Sequence, residues 1–441
     1  MLVKACFLRG ADNPVDVRCV GSTIAQIGHD LVSTSGEIVL DGSSAEILSS
    51  LIDHHIHLLA TAAARSSTKC GPPEVNNADQ LRSVLQQCQP DGWIRGVGYH
   101  ESVAGELNRR ILDMFCQNQP LRIQHRSGKM WYLNTRALEL LELDTKSDGK
   151  LFRQDELLRS NAGLNEEMAG QVRLLSDVLA RFGVTEVTDA TPSNDMITAE
   201  FLRKHMVNQK VSPMGNMSLD SGWHKIMLDE YQLPELDELS SQISLAHEKS
   251  RPIAIHCVTR TELVFALVAL EEAGVLAGDR IEHASVVDAD TLKWIAKLGL
   301  SVATQPNFIY ERGDSYIADV QPDEHASLYL CRRLLNSGIP VVGSTDAPFG
   351  DANPWIGIQA ATSRTTFGGQ VLNQAERMNI DDALALYTSN PFTGEDREIK
   401  VGNSANFVLV DKNWRNSESI RTGDHVLATV YEGGITYGFD L

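Results

Sequence analysis

The stretch Leu51-Ile52-Asp53-His54-His55-Ile56-His57 carries two histidines one residue apart behind an apolar run. In a strand, residues i and i+2 share a face, so His55 and His57 project together while Ile56 points away. Two imidazoles converging from the end of a strand can hold one divalent metal. Taken alone, the pair is as simply two hydrogen-bonded histidines. Four further groups decide the matter. His256 closes the run Ala254-Ile255-His256, His283 closes Ile281-Glu282-His283, Asp346 follows Gly343-Ser344-Thr345, and Lys225 follows Gly222-Trp223-His224. Each alone has an ordinary explanation: a core histidine, a local Glu–His pair, a turn-opening aspartate before Ala347-Pro348, a lysine snorkelling to solvent. Their shared position on β-like runs, mostly at the C-terminal end, is what chance would rarely produce.

The runs themselves form a pattern. The segment 46–52 reads as a short buried strand leading into the His-x-His pair, and further strands are expected at 184–188, 211–217, 225–228, 252–256, 280–283, 300–304 and 340–344. Helical stretches separate them. Thr259-x-x-Glu262 is a capping box opening an apolar helix that Gly274 closes, and the helix at 288–298 starts near Ser285-x-x-Asp288 and stops at Gly299. Eight strands in βα alternation predict an α/β fold of the (β/α)8 TIM-barrel type. No Gly-x-Gly-x-x-Gly follows any strand, which argues against an open doubly wound sheet. Barrel enzymes carry their chemistry at the C-terminal strand ends. The four histidines, the lysine and the aspartate therefore arrive at one rim from five strands.

Both ends of the chain are β-like. Runs at 5–8, 15–20, 23–27 and 37–40 are punctuated by Gly10, Pro14, Gly21, Gly28 and Asp41-Gly42, and runs at 406–411, 426–431 and 434–437 follow position 399. Neither set has strands enough to bury a core alone. The expected organisation is a β-sandwich domain from 1–47 and 396–441, a TIM-barrel domain from 48–61 and 170–395, and an insertion at 62–169 roofing the barrel mouth. The insertion should hold a helix at 78–87, strands at 92–99 and 120–125, a helix at 133–143, and a loop with a short helix at 144–159.

Composition narrows the partners. Of 441 residues, 42% are hydrophobic and 22% charged, ordinary values for a soluble globular protein. A net charge of −19 without a basic cluster argues against nucleic acid and anionic membrane as partners. Seven scattered cysteines without a Cys-x-x-Cys pair suit a reducing compartment. The first ten residues lack the apolar run of a signal peptide and no window approaches eighteen apolar residues, so the expectation is a cytoplasmic enzyme acting on a small molecule. Self-association into a homo-oligomer is left open.

The rim residues resemble the amidohydrolase superfamily. Asp53-x-His55-x-His57, His256, Glu282-His283-Ala284 and Ser344-Thr345-Asp346-Ala347-Pro348 match its pattern position by position. Within it the chain is similar to amidohydrolase family 3, the YtcJ-like branch, through Trp93-Ile94-Arg95-Gly96, Trp131-x-x-Asn134-x-x-Ala137-Leu138, Gly183-Val184-Thr185-x-x-Thr188-Asp189-Ala190, Asp279-Arg280-Ile281-Glu282 and Gly402-Asn403-Ser404-Ala405-Asn406. Two departures are Asn406, where an aspartate is usual, and Lys129, near where a histidine is common.

The resemblance implies a binuclear site, usually zinc. His55, His57 and Asp346 would hold the more buried ion, His256 and His283 the more exposed one, and a carboxylated Lys225 would bridge them. A hydroxide shared by the metals would attack a carbonyl, and Asp346 would take its proton and pass it to the leaving nitrogen. The resulting expectation is a metal-dependent hydrolase of carbon–nitrogen bonds other than peptide bonds. The alternative is a mononuclear zinc deaminase of a nitrogen heterocycle. Those enzymes carry a glutamate three residues after the fifth-strand histidine, where this chain has Thr259. A Ser-x-x-Lys amidase is set aside: Ser66-x-x-Lys69 and Ser147-x-x-Lys150 both fit its pattern, and no Gly-x-Ser-x-Gly elbow occurs. A metal-free binding or scaffold protein would have no reason to retain every ligand type. Candidates for the substrate pocket are His125, Trp131, Tyr310, Arg312 and Trp355, with Trp131 and Trp355 as an aromatic slot and Arg312 as a carboxylate clamp.

Overall fold

A computed structural model describes residues 1–72, 74–88, 92–152, 154, 164–390, 392–395, 397–416 and 420–438. The chain forms two compact units, one from Met1–Leu58 with Val172–Leu441 and one from Leu59–Gln171.

The first unit contains eight parallel strands: β1 (Leu51–Ile56), β2 (Val184–Asp189), β3 (Lys210–Pro213), β4 (His224–Met227), β5 (Ile253–Cys257), β6 (Arg280–His283), β7 (Ser301–Thr304) and β8 (Val341–Gly343). They run β3-β2-β1 in one sheet and β4-β5-β6-β7-β8 in another, all neighbours parallel. The two sheets meet at both ends. Gly215, just after β3, bridges to His224 of β4. A Cβ at Gly215 would lie 2.3 Å from Asn194 O, which explains the residue type there. At the other end Asp346 N donates to His55 O at 2.8 Å and His57 N to Ala347 O at 2.9 Å. The strands read as short apolar runs because both faces are covered; β7 is buried at every position.

Helices cover the outside. The helix Arg260–Ala273 has the expected capping box between Thr259 and Glu262, buries Leu263, Ala266, Leu267 and Leu270 at helical spacing, and ends at Gly274 with φ 80°. The helix Ala289–Leu298 is capped by Asp288, whose side chain and Thr291 form the reciprocal box; Ser285 takes no part.

Both chain ends share one mixed eight-stranded sheet. Phe407–Asp411, Ala45–Ser49, Leu2–Leu8, Pro14–Val20 and Thr23–Gly28 are successive neighbours, extended by Val426–Tyr431 and Gly434–Tyr437, with Val39–Asp41 beside Leu2–Leu8. Val3, Val17, Ile24, Ile47, Phe407, Leu409 and Val430 form its core. The segment 46–52, read as one strand, is two. Ala45–Ser49 belongs to this mixed sheet and Leu51–Ile56 to the parallel one. Ser50 is the junction, its hydroxyl accepting from Thr185 Oγ1 at 2.6 Å.

The second unit holds a five-stranded sheet in the order Lys150–Phe152, Met130–Leu133, Leu121–His125, Ile94–Tyr99, Thr68–Lys69. Cys70, Leu81, Ile94, Tyr99, Leu121 and Ile123 belong to its main core. Two expectations need correction. Lys150–Phe152, expected in a loop with a short helix, pairs antiparallel with Met130–Leu133, and much of the rest of 144–159 lies outside the described residues. The helix expected over 133–143 spans Thr135–Leu140, because Leu133 ends a strand and Asn134 caps the helix by accepting from Ala137 N.

Trp355 anchors the helix Pro354–Ser363 and is 0% exposed. Its Nε1 donates to Phe182 O at 2.9 Å, and its ring stands edge-on to Trp414 at 5.5 Å and His425 at 4.2 Å. Truncating it leaves a large cavity and an unpaired carbonyl, so Trp355→Ala should cost about 3–5 kcal/mol of folding stability. Urea unfolding measures this; a wild-type midpoint would remove the ring from the core.

Candidate metal centre

The site is built at the C-terminal ends of the parallel strands. Asp53 of β1 is fully buried, and its carboxylate accepts from His55 N at 3.2 Å, from Thr345 N at 3.1 Å and from the Thr345 hydroxyl. These bonds join the end of β1 to the segment following β8. Burial pushes the Asp53 carboxyl up to about 7, against the lowering effect of the same hydrogen bonds. The His55 and His57 rings lie 5.4 Å apart, centroid to centroid. His57 falls just beyond the last residue of β1. Its Nδ1 is 3.2 Å from Thr191 Oγ1 and its ring stands edge-on to Phe349 at 5.6 Å. The backbone after it is fixed by Asp189, at the end of β2, which accepts from Leu58 N at 2.7 Å.

Asp346 sits in the left-handed region at φ 53°, as does His283 at φ 69°. Such conformations in residues other than glycine cost of order 1–3 kcal/mol and concentrate at functional sites. Here each turns a side chain into the cluster. Asp346 Oδ1 is 3.5 Å from His55 Nε2 and 3.4 Å from His57 Nε2, and is buried without a hydrogen-bond partner. Burial alone would raise the Asp346 carboxyl, but the neighbouring His57, His55 and His283 rings hold it below the usual carboxylate range.

His283 lies 4.8 Å from His55 and 4.5 Å from His256, ring to ring. Its Nδ1 is 2.8 Å from Gln305 Oε1, and Gln305 Nε2 donates to Ser344 Oγ at 2.9 Å. Burial pushes His55 down to about 3 and lowers His256 and His283 as well, so these rings are neutral near pH 7, the protonation state a metal ligand requires. Lys225 is buried beside them, and its Nζ has no hydrogen-bond partner among the described residues. Burial brings its amine down to about 8, with Glu282 acting the other way and Arg280 adding to the fall.

The ligand atoms of His55, His57 and Asp346 all lie within 4.8 Å of one another. Two imidazoles and a carboxylate with a bare oxygen fit a divalent metal. A bare ammonium in the same cluster does not: near 4 Å it would be repelled by roughly 4 kcal/mol per unit charge at an effective dielectric of 20. The Lys225 amine is compatible with an ion there when neutral or carboxylated.

The structure thus brings His55, His57, Lys225, His256, His283 and Asp346 together. Each of the other candidates has packing or hydrogen-bond partners of its own. Trp355 is buried as described above, and Trp131 belongs to a second cluster of the Leu59–Gln171 unit with Leu133, Ala137 and Leu138. Large rings bury 150–250 Å² each, and both are spent on the cores of their own units. In that same unit His125 is bonded through Nδ1 to Ser127 Oγ at 2.7 Å and through Nε2 to Glu101 at 3.1 Å. Arg312 donates to Phe349 O and stacks on Phe308 at 4.0 Å, one residue removed from His57. Tyr310 packs on Phe367 at 5.7 Å. Asp189, read in the sequence only as part of a family motif, and Gln305, not singled out at all, also serve the site from the ends of strands two and seven. Reading all eight strand ends rather than five finds both.

Fold and cluster together define the class. The amidohydrolase family model matches residues 48–437, and the chain belongs to that family. It is a metal-dependent hydrolase of carbon–nitrogen bonds. Among relatives, the N-substituted formamide deformylase of Arthrobacter pascens is 25% identical over 495 residues, covering 90% of each chain. The amidohydrolase YtcJ of Bacillus subtilis strain 168 is 27% identical over 162 residues, covering 36% of this chain and 31% of its own. In structure, an uncharacterized metal-dependent hydrolase from Pyrococcus horikoshii superposes with a TM-score of 0.79 at 19% identity, covering 96% of this chain and 99% of that one. Among the described residues no helix is long and apolar enough to cross a membrane.

Proposed function

We propose that this protein hydrolyses an amide-type bond of a small molecule, giving an acid and an amine, on a (β/α)8 barrel whose rim holds two zinc ions. The observation that carries the reading is the convergence of His55, His57 and Asp346 within 4.8 Å. His55, His57 and Asp346 would hold one ion, His256 and His283 the other, with a carbamate on Lys225 between them. When bound, a divalent metal supplies Lewis acidity, lowering the pKa of water from 15.7 towards about 7. Asp346 is the proton carrier. Its carboxylate stays ionised at neutral pH and can take a proton from the attacking water. The same carboxyl then returns the proton to the departing nitrogen, which leaves as a neutral amine. The rings of His55, His256 and His283 would be taken up as metal ligands in this reading, their nitrogen lone pairs directed at the ions. Seven unpaired cysteines agree with a cytoplasmic setting.

A single-ion deaminase of a nitrogen heterocycle is the second reading, since the compact triad is what one ion needs. Against it, Glu262, the nearest glutamate after His256 in the chain, is occupied. Its carboxylate accepts from Val258 N at 2.7 Å, Thr259 N at 2.9 Å and Glu230 N at 3.1 Å.

Three measurements follow. Elemental analysis should find close to two divalent ions per chain, and a screen of N-substituted formamides, N-acyl amines, N-acyl amino acids and cyclic amides should find turnover that a chelator abolishes. Protein that folds without binding metal would end the proposal.

Asp346→Asn should retain at least part of the metal and lose roughly 10²–10⁴ in rate, because its amide cannot accept a proton. Near-wild-type turnover would pass the proton to another group.

Carboxylation of Lys225 needs the neutral amine, of which about a tenth is present at pH 7 for a pKa near 8. With 13C-labelled bicarbonate and zinc, a carbamate resonance absent from Lys225→Gln should therefore grow from pH 7 to pH 9. Identical spectra for the two proteins would leave the lysine unmodified.

A further inference from the structure

The Nδ1 atoms of two rim histidines are held by different acceptors. His283 meets the neutral amide oxygen of Gln305 at 2.8 Å. His55 meets the carboxylate of Glu282, which is 0% exposed. That carboxylate is itself clamped by Arg280, two residues earlier on the same face of β6, through Nε and, at 3.4 Å, Nη2. Arg280 Nη2 also donates to His54 O at 2.7 Å, tying the pair to β1, and its guanidinium lies over the Trp223 ring at 4.5 Å. Two opposite charges are thus sealed behind a metal-facing histidine, with no solvent contact. A buried ion pair of this kind is weak evidence of a stability role, since apolar residues of similar volume do as well or better. What an apolar pair cannot do is orient an imidazole.

We propose that Glu282 is the positioning residue of the metal centre. Its carboxylate accepts the Nδ1 proton of His55, fixes that tautomer, and leaves the Nε2 lone pair directed at the space beside Asp346 Oδ1, 3.5 Å away. Arg280 supplies the counter-charge that a buried carboxylate requires. A charged acceptor strengthens the ring as a donor more than an amide does. The ion bound through His55 is therefore the tighter one and leaves last under chelation. This rests on the proposed metal-dependent reading.

The test begins with the wild-type protein freed of metal and labelled with 15N-histidine, its His55 signals assigned by their loss in His55→Asn. The nitrogen shifts should report an Nδ1–H tautomer for His55; an Nε2–H tautomer overturns the inference. Zinc affinity by chelator competition and the visible spectrum of the cobalt form are then compared with Glu282→Gln and with Arg280→Met/Glu282→Gln. The double variant removes both buried charges and keeps the fold accessible if the single change does not. A folded variant should bind zinc on the order of 10–100-fold more weakly and show an altered cobalt spectrum. Wild-type affinity and spectrum in a folded variant overturn the positioning role while leaving the metal reading intact. Absence of any divalent-ion binding by the wild-type protein ends both.

Discussion

One buried carboxylate organises the rim. Asp53 binds the backbone and hydroxyl of Thr345, 292 residues away in sequence, while also holding His55 N. It fixes in a single stroke the histidine at the end of β1 and the aspartate after β8. Without this bond the triad would depend on two strand ends meeting through the backbone bonds from Asp346 N to His55 O and from His57 N to Ala347 O. Hydrogen bonds of this kind contribute modestly when made, yet a buried group left without them costs about 1–3 kcal/mol. Asymmetry of that sort makes the arrangement all-or-none rather than gradual.

Burial sets the protonation of everything around it. The same removal of water that raises Asp53 lowers His55, His256 and His283 and brings down Lys225. Asp346 escapes because three imidazole rings surround its carboxylate. A site where three imidazoles are neutral, Asp346 and Glu282 are ionised and a buried amine gives up its proton more easily than usual is partly prepared for a cation before any cation arrives. Much of its cost is charged to the backbone, in the left-handed residues His283 and Asp346.

The parallel strands and the convergence of side chains at their ends were legible in the sequence because strands buried on both faces appear as short apolar runs, and because His, Lys and Asp recur together at those ends. The break at Ser50 was not, since the apolar run continues through it while the pairing partners change. Left-handed backbone at His283 and Asp346 leaves no sign in residue type, glycine being absent. Glu282 was visible as part of a motif, but its bond to His55 crosses 227 residues. No spacing rule reaches that far. Trp355 misled for the opposite reason: its type suggests a pocket, and only packing reveals that its ring is already covered.

The junction at Ser50 also places a clock on assembly. Ala45–Ser49 needs Phe407–Asp411 as its antiparallel neighbour, and Ser49 Oγ donates to Arg397 O across 348 residues. At 5–20 residues per second, a ribosome takes roughly 20–70 s to supply that partner. For all that time the strand feeding directly into His55 presents an open edge. His55 and His57 are thus among the earliest residues made, yet the strand that leads into them is among the last to gain its full set of neighbours.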